Sequence, residues 1–365
     1  MPGSHPAQLR VPNSYPRRRK ATRSSWCGRL VFLLLLWLTG CHSQSPAPLT
    51  RFEFTQPQMG MPFRLVLYAP DKVTAGQAAT AAFSRVKQLN DSLSDYDPDS
   101  ELSRLSQSSG KGIDVPVGKD LWLVLWRAQA LAAQTDGAFD VTVGPIVNLW
   151  RKARREQQLP RRDLLAEART RVGWRNLRLD SRRHTARLLV PDMRLDLGAI
   201  AKGYAVDEAL RILRRNGLHR SLVNCGGDMA MGEPPPGHRG WRIEIATLDA
   251  PDAPPARYVS LANAALATSG DAFQRLELDG RRYSHIVDLH TGIGLTDHSL
   301  VHVIARDCMT ADSLATAISV LGPERGLALL KTKRSAAARI ARQPGKNVEV
   351  IESPGFPQFY SSENR

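Results

Sequence analysis

Two oxygen-bearing side chains, Asp312 and Thr316, stand four residues apart in the run Asp307-Cys308-Met309-Thr310-Ala311-Asp312-Ser313-Leu314-Ala315-Thr316. If residues 311–321 are helical, the pair projects from one face. One anionic and one neutral oxygen suit a hard cation such as Mg2+, which keeps its other positions for water and substrate phosphate. The plain alternative is an aspartate favoured by the helix dipole and a threonine bonded to its own backbone. A second island, Arg194-Leu195-Asp196-Leu197-Gly198-Ala199-Ile200-Ala201-Lys202-Gly203-Tyr204, reads as a strand running through small residues into a helix. Small side chains let a backbone approach a pyrophosphate, a helix N-terminus favours its charge, and Lys202 adds a cation there. A packing turn is the competing reading, and the Walker spacing is absent.

Three further islands carry mixed signals. Ser284-His285-Ile286-Val287-Asp288, followed by Thr291-Gly292, supplies an imidazole that is either a base or a hydrogen-bonded structural group. Asp95-Tyr96-Asp97-Pro98-Asp99-Ser100-Glu101 reads as a turn with capping residues leading into a helix, with Tyr96 able to offer an aromatic face to a ring. Gly137-Ala138-Phe139-Asp140-Val141-Thr142-Val143-Gly144-Pro145 either shapes a pocket wall or joins a helix to a strand. Asn224-Cys225-Gly226-Gly227-Asp228 ends a strand with paired glycines, which suit a bulge or a ligand-facing loop.

The elements that must position these islands alternate short strands with amphipathic helices, without an internal repeat. Strands are expected at 64–68, 194–197, 221–224, 241–246 and 301–305. Helices are expected at 75–93 and 121–134, and another ends over 210–216 at Gly217. Proline clusters at 234–236 and 251–255 read as loops. This order predicts an α+β fold rather than a regular βαβ alternation. The 365 residues, 42% of them hydrophobic, suffice for one large domain.

The net charge of +15 is not a nucleic-acid signature once its distribution is considered. Seven basic groups and no acid lie in residues 1–40, leaving +8 for the rest. A second block, residues 151–187, holds thirteen Arg or Lys against Glu156, Asp163, Glu167 and Asp180, with no aromatic interleaving beyond Trp174. It reads as a solvated face, with an anionic partner or lipid headgroups as the alternative. The N-terminal basic residues precede nine apolar residues, 30–38, too few to span a bilayer. The following Leu38-Thr39-Gly40-Cys41 resembles a bacterial lipobox, in which Cys41 is lipidated and becomes the mature N-terminus. A signal peptide cut elsewhere with a chance Cys41, or an uncleaved anchor, is the alternative; residues 1–40 are expected to be a signal peptide, 41–50 a tether, 51–350 a catalytic domain and 351–365 a tail. Cys225 and Cys308 remain in the mature chain, without zinc-ligand spacing, and read as small buried residues or a disulfide pair.

In their order, Met59-Gly60, Asp95 to Arg104, Gly137 to Pro145 with Asn148-Leu149-Trp150, Asp196 to Asp207, Asn224 to Asp228, Ala267-Thr268-Ser269-Gly270-Asp271, His285 to Gly292 and Asp307 to Thr316 resemble the ApbE family of FAD:protein FMN transferases. The resemblance covers residues 51–345. It implies an α+β fold of mixed sheets with flanking helices. It places FAD against Met59, Tyr96, Ala138, Phe139, Asp140, Asp196, Lys202 and Ile286. It places Mg2+ on Asp312, Thr316 and the main-chain oxygen of Ala199. Met61-Pro62-Phe63 departs from the Thr-rich form usual after Met59-Gly60. The implied reaction moves FMN from FAD to a threonine hydroxyl of an exported redox subunit and releases AMP, with His285 as base, Lys202 neutralising charge and Asp312 anchoring the metal. The chain lacks the Ser/Thr-Gly-Ala-Thr element of the family's acceptors, which makes it the donor enzyme. A hydrolase giving FMN and AMP and a flavin-binding lipoprotein are the alternatives. The implied location is the periplasmic face of a bacterial membrane, the inner one ahead of the outer, anchored at Cys41.

Overall fold

Phe63, Leu65 and Leu67 lie on one side of an extended segment and lose all solvent exposure there. In the computed structural model, which describes residues 48–248, 257–270, 275–333, 335–344 and 348–362, that segment is the second strand of an eight-stranded sheet. The strands are β1 (Thr50–Gln58), β2 (Met61–Ala69), β3 (Ser221–Cys225), β4 (Asp228–Met231), β5 (Ala265–Gly270), β6 (Ser299–Ala305), β7 (Ala337–Arg342) and β8 (Glu349–Glu352). They lie side by side in chain order, and every neighbouring pair is antiparallel.

About 150 residues leave the sheet between β2 and β3. They contain α1 (Lys72–Leu93), α2 (Glu101–Gln107), α3 (Lys119–Gln134), α4 (Gly144–Glu156), α5 (Arg162–Thr170) and α6 (Ala201–Arg215), while α7 (Cys308–Lys331) joins β6 to β7. The α1, α6 and α7 helices bury their apolar faces with Leu65, Val223, Ala267, Val303 and Ile340 in the main core. The opposite sheet face, through Val66, Leu222, Leu266 and Ile304, packs on a hairpin of Trp241–Ile245 and Arg257–Leu261 and on Phe356. A third core joins Ile146, Trp150 and Leu165 of α4 and α5 to Leu276, Tyr283 and Val287. The described residues belong to one compact unit. The expected α+β class is what is observed, with the sheets antiparallel.

Several boundaries differ from expectation for identifiable reasons. The Asp71 carboxylate accepts the Thr74 N–H at 2.8 Å, so α1 begins at Lys72 rather than at Ala75. No strand forms over 194–197. Arg194 makes a single parallel bridge to Val143, and Oδ1 of Asp196 accepts the Gly198 N–H at 2.8 Å, tying the backbone into a turn. The long α7 is interrupted at Gly322, φ 74°, followed by Pro323. The expected signal peptide, Cys41, most of the expected tether and the prolines at 251–255 lie outside the described residues. Among the described residues, no helix is long and apolar enough to cross a membrane.

Candidate active site

The Gly226-Gly227 pair is the turn of the β3–β4 hairpin. Cys225 faces Asp228 across it, and φ values of 60° and 96° explain why both positions are glycine. The turn delivers Asp228, 1% exposed, to Lys202 in the first turn of α6, and its Oδ2 receives the Lys202 ammonium. Asp312 approaches the same lysine from α7, its Oδ1 at 3.7 Å from Nζ. Its other oxygen accepts the Gly203 N–H at 3.0 Å, satisfying one of the free donors at the start of α6.

This meeting depends on how closely α6 and α7 approach. A Cβ at position 203 would stand 2.7 Å from the Cys308 carbonyl carbon and 2.8 Å from Met309 Cα, so only glycine fits. Asp207 of α6 then reaches across, accepting the Cys308 and Met309 N–H groups at 2.8 and 2.9 Å, while Asp307 accepts that of Thr310 at 2.8 Å. The α7 N-terminus is therefore capped by Asp207 and Asp307. Asp312, one turn further in, caps α6 instead. Thr316, on the same face of α7, has its hydroxyl 3.3 Å from that of Ser269 on β5, not on its own backbone. Asp312 is thus favoured by a helix N-terminus, as in the plain reading, though that of α6 rather than of its own helix, and Thr316 departs from that reading.

Charge in this corner is unbalanced toward the acids. Burial would discharge Lys202, but the carboxylates of Asp228 and Asp312 outweigh it and hold the ammonium charged well above the usual lysine range. Burial, reinforced by Asp228, pushes the Asp312 carboxyl upward. The Lys202 side chain is 32% exposed against 1% for Asp228 and 6% for Asp312, so the corner opens to solvent on its cationic side. Burial also pushes the Cys225 thiol up to about 12, and Cys308 rises for the same reason. Both cysteines are free and buried, and both thiols are kept neutral.

A second cluster forms around Arg151 of α4. Its guanidinium donates to Asp196 Oδ2 at 2.8 Å and to Asp95 Oδ2, and its carbon lies 4.3 Å from the centroid of the Tyr96 ring. Burial and the Asp95 charge push the Asp196 carboxyl upward, with Arg151 opposing them. Arg151 therefore does not belong to the solvated face expected of the basic block. Next to this cluster, Asp196 N–H donates to the Val141 carbonyl at 2.8 Å, which brings in the 137–145 turn. Ala138, Phe139 and Asp140 are all buried there. Asp140 accepts from both the N–H and the hydroxyl of Thr142 at 2.8 Å, yet burial still raises its carboxyl to about 6.

His285 is half-buried between Arg281–Ser284 and Val287–Asp288, and Ile286 beside it is buried. The 285–292 segment is held by Trp150, whose indole N–H donates to the Gly292 carbonyl at 2.8 Å. Met59 sits at φ 51° in the β1–β2 turn, packed against the main core. Met61 lies over the Gly226-Gly227 turn, where a Cβ at 226 would meet its Cε at 2.7 Å. Of the expected site residues, the structure thus joins Lys202 with Asp312, and Asp196 with Tyr96 through Arg151. Ala199 stands between the two clusters on the 196–202 segment.

Among the described residues, no three His, Cys, Asp or Glu side chains gather as a metal site. The expected Mg2+ donors, one carboxylate, one hydroxyl and one main-chain oxygen, need no such cluster. The residues fit that ion: they are hard oxygen donors, two carboxylates face one ammonium, and Lys202 Nζ, at 3.7 Å from Asp312 Oδ1, is beyond hydrogen-bond length.

The model of the ApbE family matches residues 59–340. The chain belongs to the ApbE family. It is 31% identical over 342 residues to the FAD:protein FMN transferase of Vibrio cholerae, covering 93% of this chain and 97% of that one. With the enzyme of the same name from Haemophilus influenzae it shares 34% over 265 residues, 70% of this chain and 76% of the relative. The solved flavin transferase ApbE of V. cholerae superposes with a TM-score of 0.77 at 30% identity, over 86% of this chain and 100% of that one. The apo form of the Pseudomonas stutzeri flavinyl transferase ApbE gives 0.75 at 30%, over 87% and 98%.

Three residues of this ApbE chain have roles that the sequence alone does not reveal. Asp228 was visible as the end of a glycine turn, but nothing in the sequence indicates its pairing with Lys202. Arg151 is hidden in a run of like charges, although its neighbour Trp150 closes the Asn148-Leu149-Trp150 motif. Asp207 closed the Asp196 to Asp207 motif without an assigned task.

Proposed function

We propose that this chain transfers the FMN part of FAD to a threonine hydroxyl of an acceptor protein and releases AMP. The observation that supports it best is Lys202, held charged by Asp228 and Asp312 at the start of α6 and open to solvent on one side. With Mg2+ offsetting the two carboxylates, the pyrophosphate of FAD would be the chemical match for such a cation at a helix N-terminus.

The residues divide the task. Tyr96, backed by the Arg151 guanidinium, offers its exposed ring to the flavin, and Asp196 accepts a hydrogen bond from it. Met59, Ala138, Phe139, Asp140 and Ile286 complete the binding surface. Gly198 and Ala199 let the backbone come close to the phosphates. Lys202 neutralises charge on the phosphate oxygens as the bond to AMP breaks and the threonine Oγ–phosphorus bond forms. His285 takes the proton from the attacking hydroxyl. Asp312, Thr316 and the Ala199 carbonyl would hold Mg2+, which when bound supplies positive charge to the pyrophosphate. The leader and Cys41 support a lipid-anchored enzyme on the periplasmic face of a bacterial membrane, the inner one ahead of the outer. Its acceptor would be an exported redox subunit.

Incubating the purified chain with FAD, Mg2+ and a candidate acceptor, then reading in-gel flavin fluorescence and released nucleotides, tests the reaction. Fluorescent acceptor with stoichiometric AMP is expected. Free FMN and AMP with a genuine acceptor left unlabelled would make the chain a pyrophosphatase, and unchanged FAD would make it a flavin-binding lipoprotein.

A further inference from the structure

We infer that Arg151 is a positioning residue that sets FAD affinity by fixing the Tyr96 ring and the Asp196 carboxylate in one arrangement. This rests on the proposed FAD site. The guanidinium touches all of Asp95, Tyr96 and Asp196, which come from two segments separated by about a hundred residues. Its side chain is 16% exposed, and those of Asp95 and Asp196 are 18% and 8% exposed, so the ion pairs are shielded from water. Tyr96 itself is 75% exposed. A ring that open has little packing of its own to hold it, and the guanidinium covering one face supplies the hold while leaving the rest available.

The adjacent residue explains why Arg151 can act as a fixed point. Trp150 is 1% exposed and hydrogen-bonded to Gly292, at the end of the segment that carries His285. Consecutive residues of α4 thus tie the His285–Gly292 segment on one side and the Tyr96–Asp196 pair on the other. Only a planar, multiply donating cation can meet two carboxylates and stack on a ring at once. A lysine provides charge but neither the fork nor the plane.

The test measures FAD binding by flavin-fluorescence quenching and steady-state FMN transfer for Arg151→Met and Arg151→Lys. Arg151→Met is expected to raise the FAD Kd about tenfold or more, with kcat at saturating FAD falling by much less than Kd rises. Arg151→Lys is expected to fall between it and the parent. Combining Tyr96→Ala with Arg151→Met should cost less than the two separate changes together, because each disables the same arrangement. If Arg151→Met does not fold, Asp95→Asn/Arg151→Met, which removes one orphaned carboxylate, is measured instead. Unchanged Kd, or a loss confined to kcat, overturns the inference. A parent that binds no FAD overturns the functional reading and this inference with it, whereas an active parent with an indifferent Arg151→Met overturns this inference alone.

Discussion

Replacing Lys202 with methionine keeps the side-chain length and removes the charge that separates two buried acids. Asp228 and Asp312, 1% and 6% exposed, then face one another without a counter-ion. At 3.7 Å the Lys202–Asp312 attraction alone amounts to about 4 kcal/mol at an effective dielectric constant of about 20. The realised loss is limited because one carboxylate takes up a proton, and orphaning a buried pair costs about 3–5 kcal/mol. The pH dependence has a definite sign. Burial and Asp228 already raise the Asp312 carboxyl, and loss of the ammonium raises it further. A carboxyl raised on folding contributes its stability in full below the unfolded value, about 3.9, and loses it as pH climbs through the folded one. Lys202→Met should therefore be destabilised more at about pH 8.5 than at about pH 5. Urea unfolding followed by tryptophan fluorescence at both pH values checks this. A deficit under about 1 kcal/mol, or one equal at the two pH values, would refute the counter-ion argument. FMN transfer by the folded fraction should fall about 100-fold or more.

Asp312→Asn should relieve the repulsion from Asp228 and leave the unfolding midpoint near that of the parent, yet abolish Mg2+-stimulated transfer; undiminished stimulation would remove Asp312 from the metal site. His285→Gln should lower kcat about 10²- to 10⁴-fold with FAD affinity retained, read by single-turnover labelling of the acceptor, and a parent-like rate would leave the base unassigned. Gly203→Ala should push α6 away from α7 and cost about 1–3 kcal/mol in unfolding, because the added methyl meets the Cys308 and Met309 backbone. Cys41→Ser should shift the protein from the membrane to the soluble fraction with transfer activity intact, whereas a variant that stays membrane-bound would disprove lipidation at Cys41.

The sequence was legible where chemistry and local geometry coincide. The small-residue run into α6, the glycine turn before Asp228 and the i, i+4 pair on α7 were each visible as patterns of spacing. The strand expected at 194–197 failed because Arg-Leu-Asp-Leu alternates like a half-buried strand, while the Asp196 side chain captures its own backbone two residues on. Such local capture outcompetes a ladder that has only one bridge to offer. Arg151 was illegible for the opposite reason. Its partners are 45 and 56 residues away, so no window contains them, and its immediate surroundings are other basic side chains. The placement of Asp312 on α6 rather than on its own helix was likewise a matter of packing between helices.

The contact at Gly203 bears on how this site can drift over evolutionary time. Backbone meets backbone there, so the gap between the helix that carries Lys202 and the one that carries Asp312 is a mechanical stop, not a compromise among side-chain sizes. Leucines and valines elsewhere in the core can be exchanged, and the helices can settle slightly differently on the sheet, while the lysine-to-carboxylate spacing stays unchanged. The reactive corner is in that sense insulated from the slow turnover of the core around it, and its tolerance is concentrated in a single hydrogen atom.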